Sequence, residues 1–322
     1  MPILAVNLVG MSALARNVKK TYAYLGPAGT FTELALAQIP EAHGGKWVAV
    51  TTVADALAEV LAGRAGRAVV PVESSVEGGV SATLDALATT DGLRIFGETL
   101  VAVNFNLVVR PGTKLADVKT IAAHPVAYAQ VRGWLADNLP KHAHLLATSN
   151  AAAAAELLTS DAADAAITTP NATDHYPVKV IAKNVADNAH AQTRFIVVGR
   201  TGELAKRTGA DKTSIVVELP TDRPGALLEM LEQFAARGVN LSRIESRPIG
   251  DRLGRYRFNV DAIGHVEDSA VAEALKGLHR FSPRIVFLGS YPKADGKQTK
   301  HEGNNSNAEF ETADAWFKSL LR

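Results

Sequence analysis

Gln192-Thr193-Arg194-Phe195-Ile196-Val197-Val198 sets a hydroxyl and a guanidinium directly ahead of an apolar, β-branched run. Such a run reads as a strand buried on both faces, the kind found inside a sheet with helices on either side. Thr193 and Arg194 then stand where the strand begins, so polar side chains can face a cleft while the apolar residues hold the backbone still. Two readings of the pair are open at this point: a ligand-facing hydroxyl and cation, or a strand cap beside an ordinary surface ion pair.

Upstream of this strand, helix and strand signals alternate. Strands are expected at 21–25, 47–50, 68–72, 120–123, 145–148, 164–168 and 178–181, with a long β-rich stretch at 93–109. Helices are expected between them at 31–39, 53–61, 128–138 and 151–158, the last opened by Ser149-Asn150 as N-cap residues. That alternation predicts an α/β fold with mostly parallel sheets. We read two lobes within residues 21–200, one from about 21–100 plus 190–200 and the other from about 101–189.

Residues 201–212 are polar, glycine-punctuated and without period, which reads as a linker. Beyond it, strand 213–219, helix 226–236, strands 240–247 and 256–262, helix 269–278 and strand 284–288 give the βαββαβ order of a ferredoxin-like α+β domain over 213–290. Residues 291–322 are expected to be mostly disordered, with a short helix over 313–321 carrying Trp316, Phe317, Leu320 and Leu321. Residues 1–20 hold Arg16, Lys19 and Lys20 and no acids; they read as a flexible extension, with Met11 a candidate start.

Composition narrows the function classes. A chain of 322 residues, 47% hydrophobic and 21% charged, suits two globular domains. The net charge of +1 supplies no field to attract nucleic acid or an anionic membrane. With no cysteine there is neither disulfide nor thiolate, which fits the cytoplasm. No apolar run approaches the roughly 18 residues of a spanning helix.

Candidate sites gather where expected strands end. Gly26-Pro27-Ala28-Gly29-Thr30 joins a strand to a helix, a turn whose N–H groups could meet an anion or simply reverse the chain. It has neither the Gly-Lys-Ser/Thr ending of a phosphate loop nor the dinucleotide glycine spacing. Glu73-Ser74-Ser75 ends another strand ahead of Gly78-Gly79, and lacks the Gly-x-Ser-x-Gly turn of a serine hydrolase. His124-Pro125 and Ser149-Asn150 end two more, at the edge where open α/β sheets collect ligands. His142 and His144 have metal-like spacing, but no third ligand stands near in sequence, so no metal site is expected.

Taken in order, Gly26-Pro27-Ala28-Gly29-Thr30-Phe31, Val72-Glu73-Ser74-Ser75, His124-Pro125 and Thr193-Arg194-Phe195, followed by this C-terminal domain, resemble the prephenate dehydratase family. The resemblance runs from Thr21 to about Tyr291. It implies a catalytic part built like a type II periplasmic binding protein, two lobes with the site between them, and a regulatory ACT domain. It implies conversion of prephenate to phenylpyruvate, carbon dioxide and water without a cofactor. On that resemblance Thr193 assists the leaving oxygen, Arg194 clamps a carboxylate, Phe195 walls the ring, and Gly26, Pro27, Ala28, Gly29, Thr30, Glu73, Ser74, Ser75, His124, Ser149 and Asn150 bind substrate. L-phenylalanine is the implied effector, held by Gly225, Ala226, Leu227 and Leu228, by Asn240 and Leu241, and by Glu245, Ser246, Arg247 and Pro248. A homodimer or homotetramer is implied as well. Two residues depart from the family pattern: Ser74 stands where asparagine is usual, and Val126 where glutamine is common after His-Pro. The rival from another class is a two-lobed carboxylate or amino-acid sensor without turnover. A nicotinamide-dependent dehydrogenase lacks its glycine fingerprint here, and 1–20 is too short for a fused helical mutase.

Overall fold

The structure is a computed structural model describing residues 18, 20–250, 254–299 and 303–321. The extension expected over 1–20 lies outside these residues, Val18 and Lys20 apart.

The first sheet is built from β1 (Thr21–Leu25), β2 (Lys46–Val50), β3 (Arg67–Ser74), the two-residue β4 (Gly78–Gly79), β5 (Leu93–Ala102) and β11 (Gln192–Arg200). Its order is β2-β1-β3-β11-β5, with β4 paired to β3. β1 runs parallel to β2 and β3. Ala68, Val69, Val70 and Val72 bury the middle of β3, as a near-continuous apolar run requires of an interior strand. Helix α1 (Phe31–Ala37) follows β1, and α2 (Val53–Leu61) follows β2. The second begins with a capping box, Thr52 Oγ1 accepting from the Asp55 N–H and the Asp55 carboxylate accepting from the Thr52 N–H. Val53, Ala56, Leu57 and Val60 then face the core at helical spacing.

The second sheet takes β6 (Asn106–Val109), β7 (Thr120–Ala123), β8 (Ala143–Leu146), β9 (Ala165–Thr168) and β10 (Lys179–Ala182) in the order β10-β6-β9-β7-β8. Phe105, Leu107, Ile121, Val131, Leu135 and Ile167 fill one side of it, and Val108, Ala122, Ala153, Leu157 and Ala166 the other. The latter side is covered by helix α6 (Asn150–Thr159). Where one helix was expected over 128–138 there are two, α4 (Pro125–Ala129) and α5 (Arg132–Asn138). The break has a distant cause. The Asp187 carboxylate accepts from the N–H groups of Gly133 and Trp134, both at 2.9 Å, and so caps a new helix start. A helix over Ser81–Thr89, α3, was not anticipated either.

The C-terminal domain is β12 (Asp211–Glu218), α7 (Ala226–Ala235), β13 (Leu241–Pro248), β14 (Tyr256–Ile263), α8 (Ser269–Phe281) and β15 (Arg284–Pro292). Its sheet has the order β13-β14-β12-β15, antiparallel at every pairing. Ile215, Val217, Met230, Phe234, Val260, Val271 and Leu278 form its core. The expected linker ends earlier than its polarity suggested, because Asp211 and Lys212 are buried in β12 with their charges answered. Asp211 accepts from Thr208 and Gly209, and Lys212 Nζ meets both oxygens of Glu98 at 3.0 and 2.9 Å.

The tail also differs from the expectation of disorder. Lys293 donates to the Ala210 carbonyl and Thr299 to that of Gly209. Helix α9 spans Asn307–Ser319, and Phe310 packs against the C-terminal core. Asn307 Oδ1 accepts from the Ser269 N–H at the start of α8, a contact between chain segments that composition cannot reveal. Trp316, Phe317, Leu320 and Leu321 remain exposed.

By internal contacts the chain forms two compact units. One joins the described residues up to Val80 with Thr99–Phe195, and the other joins Ser81–Glu98 with the chain from Ile196 onward. Residues 81–98 and 196–200, expected in the first lobe, therefore group with the C-terminal domain. Within that unit Asp85 of α3 meets Arg247 and Arg257, and Arg94 lies 5.3 Å over the Phe287 ring.

Candidate active site

Ser75 donates its N–H to the Gln192 carbonyl and accepts from the Gln192 N–H through Oγ, both at 2.9 Å. These contacts set the start of β11 beside the carboxyl end of β3, the side of an α/β sheet where ligands collect. Thr193 is half-buried there, and among the described residues no partner meets its hydroxyl. Arg194 is 6% exposed and donates Nε to Glu73 Oε2 at 2.9 Å. Successive side chains of a strand point to opposite faces, so Thr193 and Arg194 are not one patch merely by adjacency. Phe195 is 2% exposed, packed into the core on the face that Thr193 shares. Its ring is packed against protein and stiffens the strand.

Ser74 is engaged by the turn it opens. Ser74 Oγ accepts from Val76 at 3.2 Å and Glu77 at 3.4 Å. The turn places Glu77 near His124, which caps α4 by accepting the Val126 N–H at Nδ1. Burial pushes the His124 imidazole below its usual pKa, and the Glu77 carboxylate pulls it partly back. Val126 thus contributes its backbone to the cap, a role that does not depend on its side chain. Ser149 caps α6 by accepting from Ala152 at 3.0 Å. Asn150 holds its Oδ1 buried without a partner among the described residues, a polar atom for which only a ligand or water would account.

The 26–30 turn is less open to an anion than its sequence suggests. Gly26 gives its N–H to Val50, Pro27 has none, and Gly29 gives its N–H to Glu33 Oε2 at 2.6 Å. That leaves Ala28 and Thr30, and α1 has only seven residues to present behind them. Gly26 is required because a Cβ there would stand 2.7 Å from that of Ala49. Gly29 has φ +81°, where a side chain is strained. The residues that sequence alone did not single out here are Glu33, Thr169, Asn171 and His175. Glu33 reads as an ordinary acid in a first helical turn, and the other three lie more than a hundred residues further along.

In the C-terminal unit the expected effector residues divide between two faces of the sheet. Register pairs Ser246 with Phe258 and Arg247 with Arg257. Ser246 and Pro248 therefore share the helix side, whereas Glu245 and Arg247 share the other side, where Arg247 meets Asp85. Asn240 is exposed and accepts from Ile263 through its carbonyl. A cleft of about 690 Å³ is lined by Leu219, Thr221, Arg223, Ala226, Leu227 and Tyr256 among others. It takes in part of the 225–228 motif, at the start of α7.

His142 and His144 serve Tyr128, one by a 2.8 Å contact with its hydroxyl and the other by ring stacking at 3.8 Å. Among the described residues no group of three or more His, Asp or Glu could hold a metal ion, and no helix is long and apolar enough to cross a membrane.

A family model for prephenate dehydratase matches residues 22–203, and one for the ACT domain matches residues 213–280. A protein named prephenate dehydratase from Mycobacteroides abscessus is 48% identical over 276 residues, 84% of this chain and 89% of that protein. The solved prephenate dehydratase of Arthrobacter aurescens, in complex with L-Phe, is 52% identical with a TM-score of 0.89, covering 94% of this chain and 99% of that one. A solved quorum-quenching acylase, GqqA, is 32% identical with a TM-score of 0.74, covering 85% and 97%.

Proposed function

The chain belongs to the prephenate dehydratase family, and on that premise we propose how its own residues carry the conversion of prephenate to phenylpyruvate, carbon dioxide and water. The ring carboxylate leaves as carbon dioxide, its bonding pair enters the ring, and the ring hydroxyl departs at the opposite carbon. One proton joins that oxygen to complete water. Aromatisation drives the change, so the protein has to orient a dianion and help hydroxide leave. Thr193 donates a hydrogen bond to the departing oxygen and relays the proton, assistance of the kind that contributes about 10²–10⁴-fold. The observation that carries this assignment is the Thr193 hydroxyl, half-buried at the start of a buried strand with no partner among the described residues.

Arg194 supplies positive charge for a substrate carboxylate, and Glu73 holds the guanidinium in place. His124, kept neutral by burial, and the unpartnered Asn150 oxygen line the polar side of the cleft between the two lobes. The C-terminal domain binds L-phenylalanine near the 225–228 motif and the exposed face of β13, and thereby restrains the reaction. The exposed Ile244 on the edge strand β13 supports pairing of copies as a homodimer or homotetramer. We assign the chain to the cytoplasm on its lack of cysteine.

A hydrolytic reading, prompted by GqqA, needs a serine free to attack an acyl carbon. Ser74 and Ser75 do not favour it, since both hydroxyls already accept backbone N–H groups. The deciding experiment follows phenylpyruvate from prephenate with purified protein, with and without L-phenylalanine, beside Thr193→Ala. Turnover that L-phenylalanine suppresses and the variant loses supports the reading. Tight prephenate binding without product would replace it with the sensor.

A further inference from the structure

Glu33 stands in the first turn of α1, and its Oε2 gathers three donors. The Gly29 N–H approaches at 2.6 Å, Asn171 Nδ2 at 3.0 Å and His175 Nε2 at 2.8 Å. The first belongs to the turn that leaves β1 in the first lobe. The other two belong to the segment that leaves β9 in the second lobe, so one carboxylate oxygen joins the carboxyl ends of two sheets. The same peptide region is held again from the second lobe, because Thr169 Oγ1 donates to the Gly29 carbonyl at 2.5 Å. Thr169 is 1% exposed and the Glu33 side chain 13%, so water competes little for the Thr169 and Gly29 bonds, whereas the His175 side chain is 33% exposed. Phe31 adds an apolar contact across the same gap, its ring meeting Phe105 edge-on at 5.5 Å.

Gly29 thus spends both its N–H and its carbonyl on protein partners, which is the arrangement of a fixed hinge point and not of an open anion cradle. We propose that Glu33 is a positioning residue for the reaction, tying the 26–30 turn to residues 169–176 and so fixing the shape of the cleft that receives prephenate. The inference rests on the reading that prephenate occupies this cleft. Asn171 supports it independently: with Nδ2 given to Glu33, its Oδ1 is buried and unpartnered among the described residues. The Glu33 bond therefore orients an amide whose acceptor faces no protein donor, as a group that meets a ligand or water would be left.

The test is steady-state kinetics with prephenate on the full chain, with melting curves alongside. Glu33→Gln is close in shape but loses the charge that draws three donors. A hydrogen bond to a charged group is strong enough for its loss to raise KM about tenfold, with kcat within about threefold, because the cleft binds substrate and transition state alike. Asn171→Ala removes one donor and leaves Glu33 with two, so it keeps the fold and raises KM about threefold. In the double variant the second change adds less than about twofold, as expected of residues in one network. A merely structural carboxylate would lower the melting temperature and leave KM unchanged in the folded fraction. Wild-type KM in both folded variants, or a fall in kcat at constant KM, would overturn the proposal. Thr193→Ala serves as the control: if it keeps full turnover the reading of the site fails, whereas lost turnover there with wild-type KM in Glu33→Gln sinks this inference alone.

Discussion

Each unit holds a carboxylate against arginine, and the two arrangements differ in balance. In the first unit Arg194, its side chain 7% exposed, meets Glu73, 35% exposed. In the second unit two guanidinium groups share Asp85, Arg257 at 2.6 Å and Arg247 at 2.7 Å. The hydrogen bond from Arg247 leads in holding the Asp85 carboxyl below the usual range, and Arg257 adds to it. Glu73 at 35% and Asp85 at 40% exposure both stand partly in water, so burial does not separate the two contacts. What separates them is the number of cations on the carboxylate and the element that carries it: Glu73 lies near the end of β3, whereas Asp85 sits on α3 and meets arginines of β13 and β14.

The largest effect that would sharpen this comparison is on turnover. Thr193→Ala should lower kcat by at least about a hundredfold with an unchanged melting curve; activity within threefold of wild type would remove the first unit's claim to the chemistry. Next, Arg194→Ala leaves Glu73 without its guanidinium; because Glu73 is 35% exposed, water replaces part of the contact and the loss should be about 1.5 kcal/mol. Chemical denaturation reads that loss directly, and an unchanged midpoint would show the pair to be no tighter than a surface contact. Asp85→Asn should cost a similar amount, about 1.5 kcal/mol, because Asp85 is 40% exposed, and leave basal turnover intact. A fall in turnover as large as that of Thr193→Ala would erase the contrast between the two units.

The smallest effect separates the units by pH. His124 has a lowered folded pKa, so its contribution is full above the unfolded value of about 6.5 and fades as pH falls through the folded one. Asp85 is also lowered, but from a carboxyl reference, so its contribution persists down to about pH 3.9 and is lost only below that. Melting curves of His124→Gln and Asp85→Asn against wild type should therefore converge in different windows, the first below about pH 6.5 and the second below about pH 3.9. Convergence of both in one window would mean that the two groups do not titrate independently.

Much of the fold was legible because the apolar pattern is strong. β3, β11 and α2 announce themselves by runs of valine or by helical spacing, and the βαββαβ order of the C-terminal domain follows from segment lengths alone. The errors share a cause. The helix over 128–138 splits because Asp187 caps it from afar, the linker shortens because Glu98 answers Lys212, and the tail is held partly by Asn307 on α8. In each case a polar residue that looks solvated finds a partner far away in the chain. The site shows the same limit, since Thr193 and Glu73 stood out at strand ends whereas Glu33 and His175 did not.

Sequence by itself determined the two-lobed α/β part, the ferredoxin-like part and the order of motifs that marks the family, because hydrophobic periodicity and turn residues act over a few positions. Only the tertiary structure decided which of those polar residues are free and which are spent. It gave Gly29 to Glu33 and Thr169, Arg194 to Glu73, and Arg247 to Asp85, and it buried Phe195. The physical reason is that a hydrogen bond or ion pair depends on distance in space. Partners 121 to 162 residues apart, as in the last two pairs, leave no local signal in the chain.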